Sequence, residues 1–309
     1  MGEALLFDGQ PFDRGTAARA GMSRWQLHRL VAAGRVRRVL DDVYLDDRVD
    51  DDLSARARCL ALRLPPSAAL SRWTAAWLLG VDVRPLASRR EPLSVVECTV
   101  PRGREPLSRR GLVCYVAPLE LDVTEVAGLP CTTPERTVAD LLRWSAPHDG
   151  LAAADAMAAA GLVEAQRLPA VVERFAGTRG VAQARYLAAV VEPATESPGE
   201  SWLRLRLLDA GFPRPRAQIS VVDRWGVERY RLDLGWEEVR VAVEYDGEEF
   251  HGSARSRRWD EQRREELFRE FGWNVVGVGK GEVLGPSMAL ERGVGEMLSL
   301  EPKLSRRRW

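Results

Sequence analysis

Between Tyr230 and Asp246 apolar and polar positions alternate with a period of two, the spacing of half-buried strands. Tyr230, Leu232, Leu234 and Trp236 fall on one face of a first strand, leaving Arg231 and Asp233 on the other. Val239, Val241, Val243 and Tyr245 line one face of a second strand, with Arg240, Ala242, Glu244 and Asp246 opposite. A turn at Gly235–Glu238 joins the two, so pairing sets Asp233 across from Glu244 and Asp246 on one face. Upstream, Leu203, Leu207 and Leu208 recur at helical spacing behind Ser197, Pro198 and Glu200, which occupy N-cap, N1 and N3. Ala217–Val222 reads as the strand before the hairpin. Downstream, a helix from about 257 to 271 buries Trp259, Leu267 and Phe271, and Asn274–Val278 and Pro286–Leu298 read as a strand and a last helix. The predicted order is αβββαβα.

The N-terminal pattern is different. Thr16–Ala20 reads as a short helix, and Ser23 caps a second helix to Ala33 that buries Leu27, Leu30 and Val31. Val36–Val39 and Val43–Leu45 follow as a hairpin turning at Asp41-Asp42. This predicts a winged helix-turn-helix over residues 1–52. From 53 to 192 helices and strands mix, with no repeat and no recognisable chemistry. Arg136, Asp140 and Asp155 stand there at helical spacing, as an exposed face or as internal ion pairs. Glu192–Gly199 reads as a linker to a domain of residues 193–300, with a basic tail at 301–309. The fold class expected is α/β multidomain.

A length of 309 residues supports two or three domains, and 45% hydrophobic with 29% charged residues is a soluble globular composition. No apolar run approaches the roughly 20 residues that span a bilayer, and the N-terminus lacks the pattern of a secretion signal, so a cytoplasmic protein without membrane contact is expected. Four separated cysteines and three histidines argue against zinc and against a disulfide framework. Net charge is zero, but it is segregated. Seven arginines and no acid lie between Arg14 and Leu40, while Asp41–Asp52 contains seven aspartates. A second basic group, which includes Arg257, Arg258 and Arg263, follows the carboxylate hairpin. Such local clusters suit phosphate contacts, and overall neutrality limits non-specific binding.

Three carboxylates on one sheet face repel one another, and a hard divalent ion would resolve the conflict. An acidic, solvated edge hairpin is the alternative. Asp233, then Glu244, Asp246-Gly247 and His251, resembles the core of the PD-(D/E)xK nucleases, in the branch similar to very-short-patch-repair endonucleases. The likeness extends from Ser197 to about Leu284 through Ser197-Pro198-x-Glu200, Gln218, Asp260-x-x-Arg263 and Gly272-Trp273. Asp246 stands where the superfamily's lysine is found. Residues 16–45 and the stretch Thr132–Thr137 resemble AbiEi-like antitoxins of type IV toxin–antitoxin systems.

The resemblance implies a restriction-endonuclease-like domain hydrolysing phosphodiester bonds in DNA with Mg²⁺ or Mn²⁺. Asp233, Glu244 and Asp246 would ligate the ion, and His251 would transfer a proton or touch the leaving group. Glu200 would point at the site or serve only its helix cap. Gln218, Glu196 and Lys280 are further candidates. Arg257, Arg258 and Arg263 would bind backbone phosphate, with Arg263 equally placed to pair with Asp260. Arg24, His28, Arg29, Arg37 and Arg38 would contact DNA from the N-terminal module. A second copy of the chain or a toxin–antitoxin-type protein is the expected protein partner. The competing expectation is a non-enzymatic DNA-binding repressor that keeps a nuclease fold.

Overall fold

The computed structural model describes residues 5–82, 93, 95–107, 110–247 and 254–303; side chains of the last stretch are described from 262 onward. The chain is an α/β protein of two compact units, residues 1–141 and 142–309.

In the first unit Asp13 caps α1 (Arg14–Arg19) through Thr16 N–H, and Ser23 with Gln26 forms a capping box on α2 (Arg24–Ala32). The antiparallel hairpin β1 (Val36–Leu40) and β2 (Val43–Asp46) follows. Phe12, Ala17, Leu27 and Val36 form a small core with Leu30 at its edge. Val31, expected in the buried stripe, is exposed because α2 turns only Leu27 fully inward. At the hairpin tip Asp42 has a positive φ of 59° and pairs with Arg14, while Asp41 pairs with Arg38 and, at 3.6 Å, with Arg110. Arginines therefore neutralise the acidic tip.

Leu40, Val43 and Leu45 do not stay within this module. They pack with α3 (Leu53–Ala61), β3 (Ala69–Leu70), α4 (Arg72–Leu78), β4 (Val96–Val100) and Leu112 in one core. A five-stranded sheet carries that core. It contains β3, β4, β5 (Leu112–Val116), β6 (Val123–Val126) and β7 (Leu129–Thr132) in the order β5-β4-β3-β7-β6. Pro134 at the start of α5 (Pro134–Trp144) occupies the position expected of it. Arg136 is buried and pairs with Asp140 at 2.8 Å and Asp122 at 3.0 Å. Of the two readings for these residues, internal ion pairs hold.

The second unit begins with α6 (Pro147–Ala159), α7 (Leu168–Glu173) and α8 (Val181–Ala188). Then come α9 (Pro198–Asp209), β8 (Arg216–Val222), β9 (Glu228–Trp236), β10 (Val241–Asp246), α10 (Ala254–Phe271) and β11 (Asn274–Gly279). A short α11 (Lys280–Leu284) and α12 (Ala289–Leu298) finish it. The strands form one sheet in the order β11-β10-β9-β8, antiparallel except for the parallel pair β10–β11. The hairpin turn lies at Glu237–Arg240, two residues later than expected, because Trp236 pairs with Val241.

The single-face reading of β9 fails at its middle. Leu234 and Trp236 pack with Leu203, Leu207, Val241 and Val243 in one core, whereas Leu232 joins Ile219, Val221, Ala242 and Leu267 in the other. The neighbouring strand is irregular at this level. Gln218 has a positive φ of 53°, and Ala217 and Ile219 divide between the two cores on either side of it.

The stretch 192–199 is not a free linker. The Glu192 N–H donates to Asp155 at 2.8 Å, and Thr195 is buried. Asp155 in α6 also accepts from Ser201 Oγ at 2.7 Å and from Arg204 at 2.6 Å, both on α9. Arg204 in turn donates to the carbonyl of Val190. Residues 142–192 thus share buried polar contacts with α9, which accounts for the division near 141 in place of boundaries near 52 and 192.

Candidate functional site

Glu200, Asp233 and Glu244 reach the same region from α9, β9 and β10. Helix α9 can lie close to β10 because residue 199 is glycine: a Cβ there would stand 2.1 Å from the Tyr245 ring. The next residue, Glu200, is buried. One of its carboxylate oxygens accepts from Glu196 N–H at 3.0 Å and from Gln218 Nε2 at 2.9 Å. Its own N–H donates to Ser197 Oγ at 3.2 Å. Glu200 therefore completes a helix cap and also faces the strands, and Gln218 orients it.

The register pairs Ala242 with Gly235 and Val243 with Leu234, so Glu244 and Asp233 are the next residues past the last pair of this ladder. Asp233 Oδ2 accepts the Tyr245 N–H at 2.8 Å. Its carboxyl is pushed up to about 7, first by burial, then by the charge of Glu200, with a smaller contribution from Glu244; the Tyr245 N–H and Arg263 oppose the shift. Burial raises Glu200 as well. The charges that add to the effect of burial are those of Glu200 and Glu244.

Two consecutive arginines of α10 hold the carboxylates of β10. Arg263 grips Glu244 with both terminal nitrogens, at 2.5 and 2.8 Å. Arg264 reaches Asp246 at 3.3 Å. Gly277, opposite Glu244 in the parallel register, leaves room for this second pair, since a Cβ there would lie 2.2 Å from the Arg264 nitrogen and 2.3 Å from Asp246 Oδ2. Arg263, expected at backbone phosphate or beside Asp260, holds Glu244; the Asp260 side chain lies outside the described residues. From sequence Arg264 was only a member of the basic group behind the hairpin, with no role of its own, and Gly277 was not singled out; the adjacency of Arg263 and Arg264 was the available signal.

The remaining candidates are dispersed. Glu196 pairs with Arg231 at 3.1 Å on the surface. Lys280 opens α11, immediately after the residue that stands opposite Asp246. His251 lies outside the described residues, and so do the side chains of Arg257 and Arg258. In the first unit Arg24, His28 and Arg29 are exposed on α2 beside Trp25, and the Arg29 guanidinium lies 4.9 Å from the centre of the Trp25 ring. Arg37 instead donates to the carbonyl of Asp47 at 3.0 Å, and Arg38 is paired with Asp41. Those two arginines brace the hairpin.

As for a metal, no three carboxylate, imidazole or thiolate groups among the described residues stand together closely enough to hold one ion. Asp233 and Glu244 are the hard oxygen donors that β9 and β10 bring to this region, the donor type that an ion of the magnesium kind takes. Such an ion keeps several waters and takes one or two protein carboxylates. They do not make a closed cage.

Residues 67–190 match the family model described as the AbiEi antitoxin C-terminal domain. The chain is also similar to an uncharacterized protein of Mycobacterium tuberculosis strain CDC 1551 / Oshkosh and to one of strain ATCC 25618 / H37Rv. Each is 28% identical over 255 residues, covering 82% of this chain and 89% of the relative. Among the described residues no helix is long and apolar enough to cross a membrane.

Proposed function

We propose that the protein is a metal-dependent endonuclease acting on DNA, with the carboxylates in the second unit and a DNA-binding element in residues 14–45. One observation carries this reading: Glu200, Asp233 and Glu244 come from three separate elements to one withdrawn region, where burial first, and then the charges of Glu200 and Glu244, raise the Asp233 carboxyl, an arrangement without evident benefit to stability. Asp233 and Glu244 would hold Mg²⁺ or Mn²⁺, with Asp246 beside them. The ion would polarise a phosphoryl oxygen and make a bound water more acidic. Gln218 fixes Glu200, and Glu200 in turn keeps negative charge beside Asp233. His251 is assigned the proton transfer and Arg257 and Arg258 the phosphate contacts, on the resemblance of the Asp233–His251 stretch to the nucleases.

A second reading is a DNA-binding, antitoxin-type regulator without catalysis. It is favoured by the match of residues 67–190 to an antitoxin domain and by the closed Arg263–Glu244 pair. The test is nicking of supercoiled plasmid by purified protein with Mg²⁺ or Mn²⁺, beside Asp233→Asn and a gel-shift assay. The nuclease reading expects metal-dependent nicking that Asp233→Asn abolishes. DNA binding without nicking under either metal would leave the regulator.

A further inference from the structure

We infer that Arg263 is a resident cation that occupies the metal-binding carboxylate until a divalent ion displaces it. The inference rests on the metal site proposed above and adds the way that site is kept in the free protein.

Glu244 is the β10 carboxylate most withdrawn from solvent, and an unpaired charge there would be costly. The Arg263 fork satisfies both of its oxygens, with side chains 18% and 9% exposed for arginine and glutamate. A bidentate guanidinium–carboxylate pair is the strongest form this contact takes, and it fixes direction as well as charge. Both oxygens that would face an ion thus each accept one guanidinium N–H. Asp233, the other ligand proposed, is left with its Tyr245 N–H bond and with repulsion from Glu200, the state that Arg263 only partly offsets.

Arg263 is also poised to leave. Its guanidinium lies 5.4 Å from the centre of the Tyr230 ring, a face that can retain it after it releases Glu244. Arg264 repeats the contact one residue on, with Asp246. The ion therefore exchanges with a protein cation, and the site never carries its full negative charge.

The test is Mn²⁺ binding to the full chain, read from the free-ion signal in electron paramagnetic resonance, in wild type, Arg263→Gln, Arg263→Lys and Asp233→Asn. Circular dichroism checks folding. Arg263→Gln should bind Mn²⁺ about tenfold or more tightly, the order of coupling measured for close charge pairs. Arg263→Lys keeps the charge but cannot fork, so a smaller gain is expected and the inference stays testable if the glutamine variant fails to fold. Affinity equal to or below wild type in either folded variant overturns the inference while leaving the metal site, provided Asp233→Asn still loses binding. No Mn²⁺ binding by any form overturns both. Tighter binding by Arg263→Gln in a protein that never nicks DNA supports the inference and removes the nuclease reading.

Discussion

Asp233 is a residue whose protonation differs between the folded and the unfolded chain. Folded, its carboxyl keeps the proton to about pH 7; the ordinary value is 3.8. Between those values the native state binds more protons than the unfolded state, so stability falls as pH rises through that window. The full cost is present above pH 7 and absent below about pH 4. Asp233→Asn retains an oxygen to accept the Tyr245 N–H but has no charge to oppose Glu200. In chelated buffer the variant should therefore exceed wild type by on the order of 2–4 kcal/mol at pH 8, and the gap should close toward pH 4. Urea melts at several pH values measure this. A difference that stays constant from pH 4 to 8 would show that Asp233 is not the group that titrates. Strand periodicity put Asp233 and Glu244 on neighbouring strands, but the single face it assumed for β9 breaks between Leu232 and Leu234, on either side of Asp233. Glu200 comes from a helix whose approach depends on the missing side chain of Gly199, and no spacing rule encodes that approach.

At the scale of elements, caps and strand periodicity carried the reading furthest. Ser23, Ser197 and Pro134 begin helices where local chemistry required them to. What local pattern missed were the short strands β3, β6 and β7, which have two to four residues and hold their places through sheet neighbours. The change of core along β9 was equally hidden, since it accompanies an irregularity at Gln218 on the adjacent strand. Helix α2 now bears most of the proposed DNA binding, because Arg37 and Arg38 are held by the hairpin. Removing residues 1–50 would be a poor test, as Leu40, Val43 and Leu45 belong to the core shared with residues 55–131. Exposed positions serve better. Arg24→Ala with Arg29→Ala should weaken DNA binding and lower the slope of log affinity against log salt by about 1 for each phosphate no longer neutralised, with the melting temperature little changed. An unchanged slope in the folded double variant would make α2 a packing helix.

For the whole molecule, the question is which part of the chain forms the unit that carries the carboxylates. Sequence placed its start at residue 193, in the Pro- and Gly-containing stretch 192–199, on composition. The structure ties that stretch down through groups far apart in sequence: Asp155 accepts from Glu192 N–H, Ser201 and Arg204, and Arg204 also donates to Val190. Both charged members are almost completely buried. Removing one partner of such a pair strands the other's charge, at a cost of about 3–5 kcal/mol. A domain's net stability is only about 5–15 kcal/mol, so that cost is decisive once the apolar packing of α6 on α9 is removed as well. A fragment of residues 193–309 should then lack a cooperative thermal transition, while residues 142–309 should show one. Circular dichroism melts of the two fragments make the comparison. Arg204→Met in the shorter fragment should restore part of the transition, because the buried charge left without Asp155 is gone. If residues 193–309 melt cooperatively at the temperature of residues 142–309, the buried pair does not define the unit, and the boundary lies at 192.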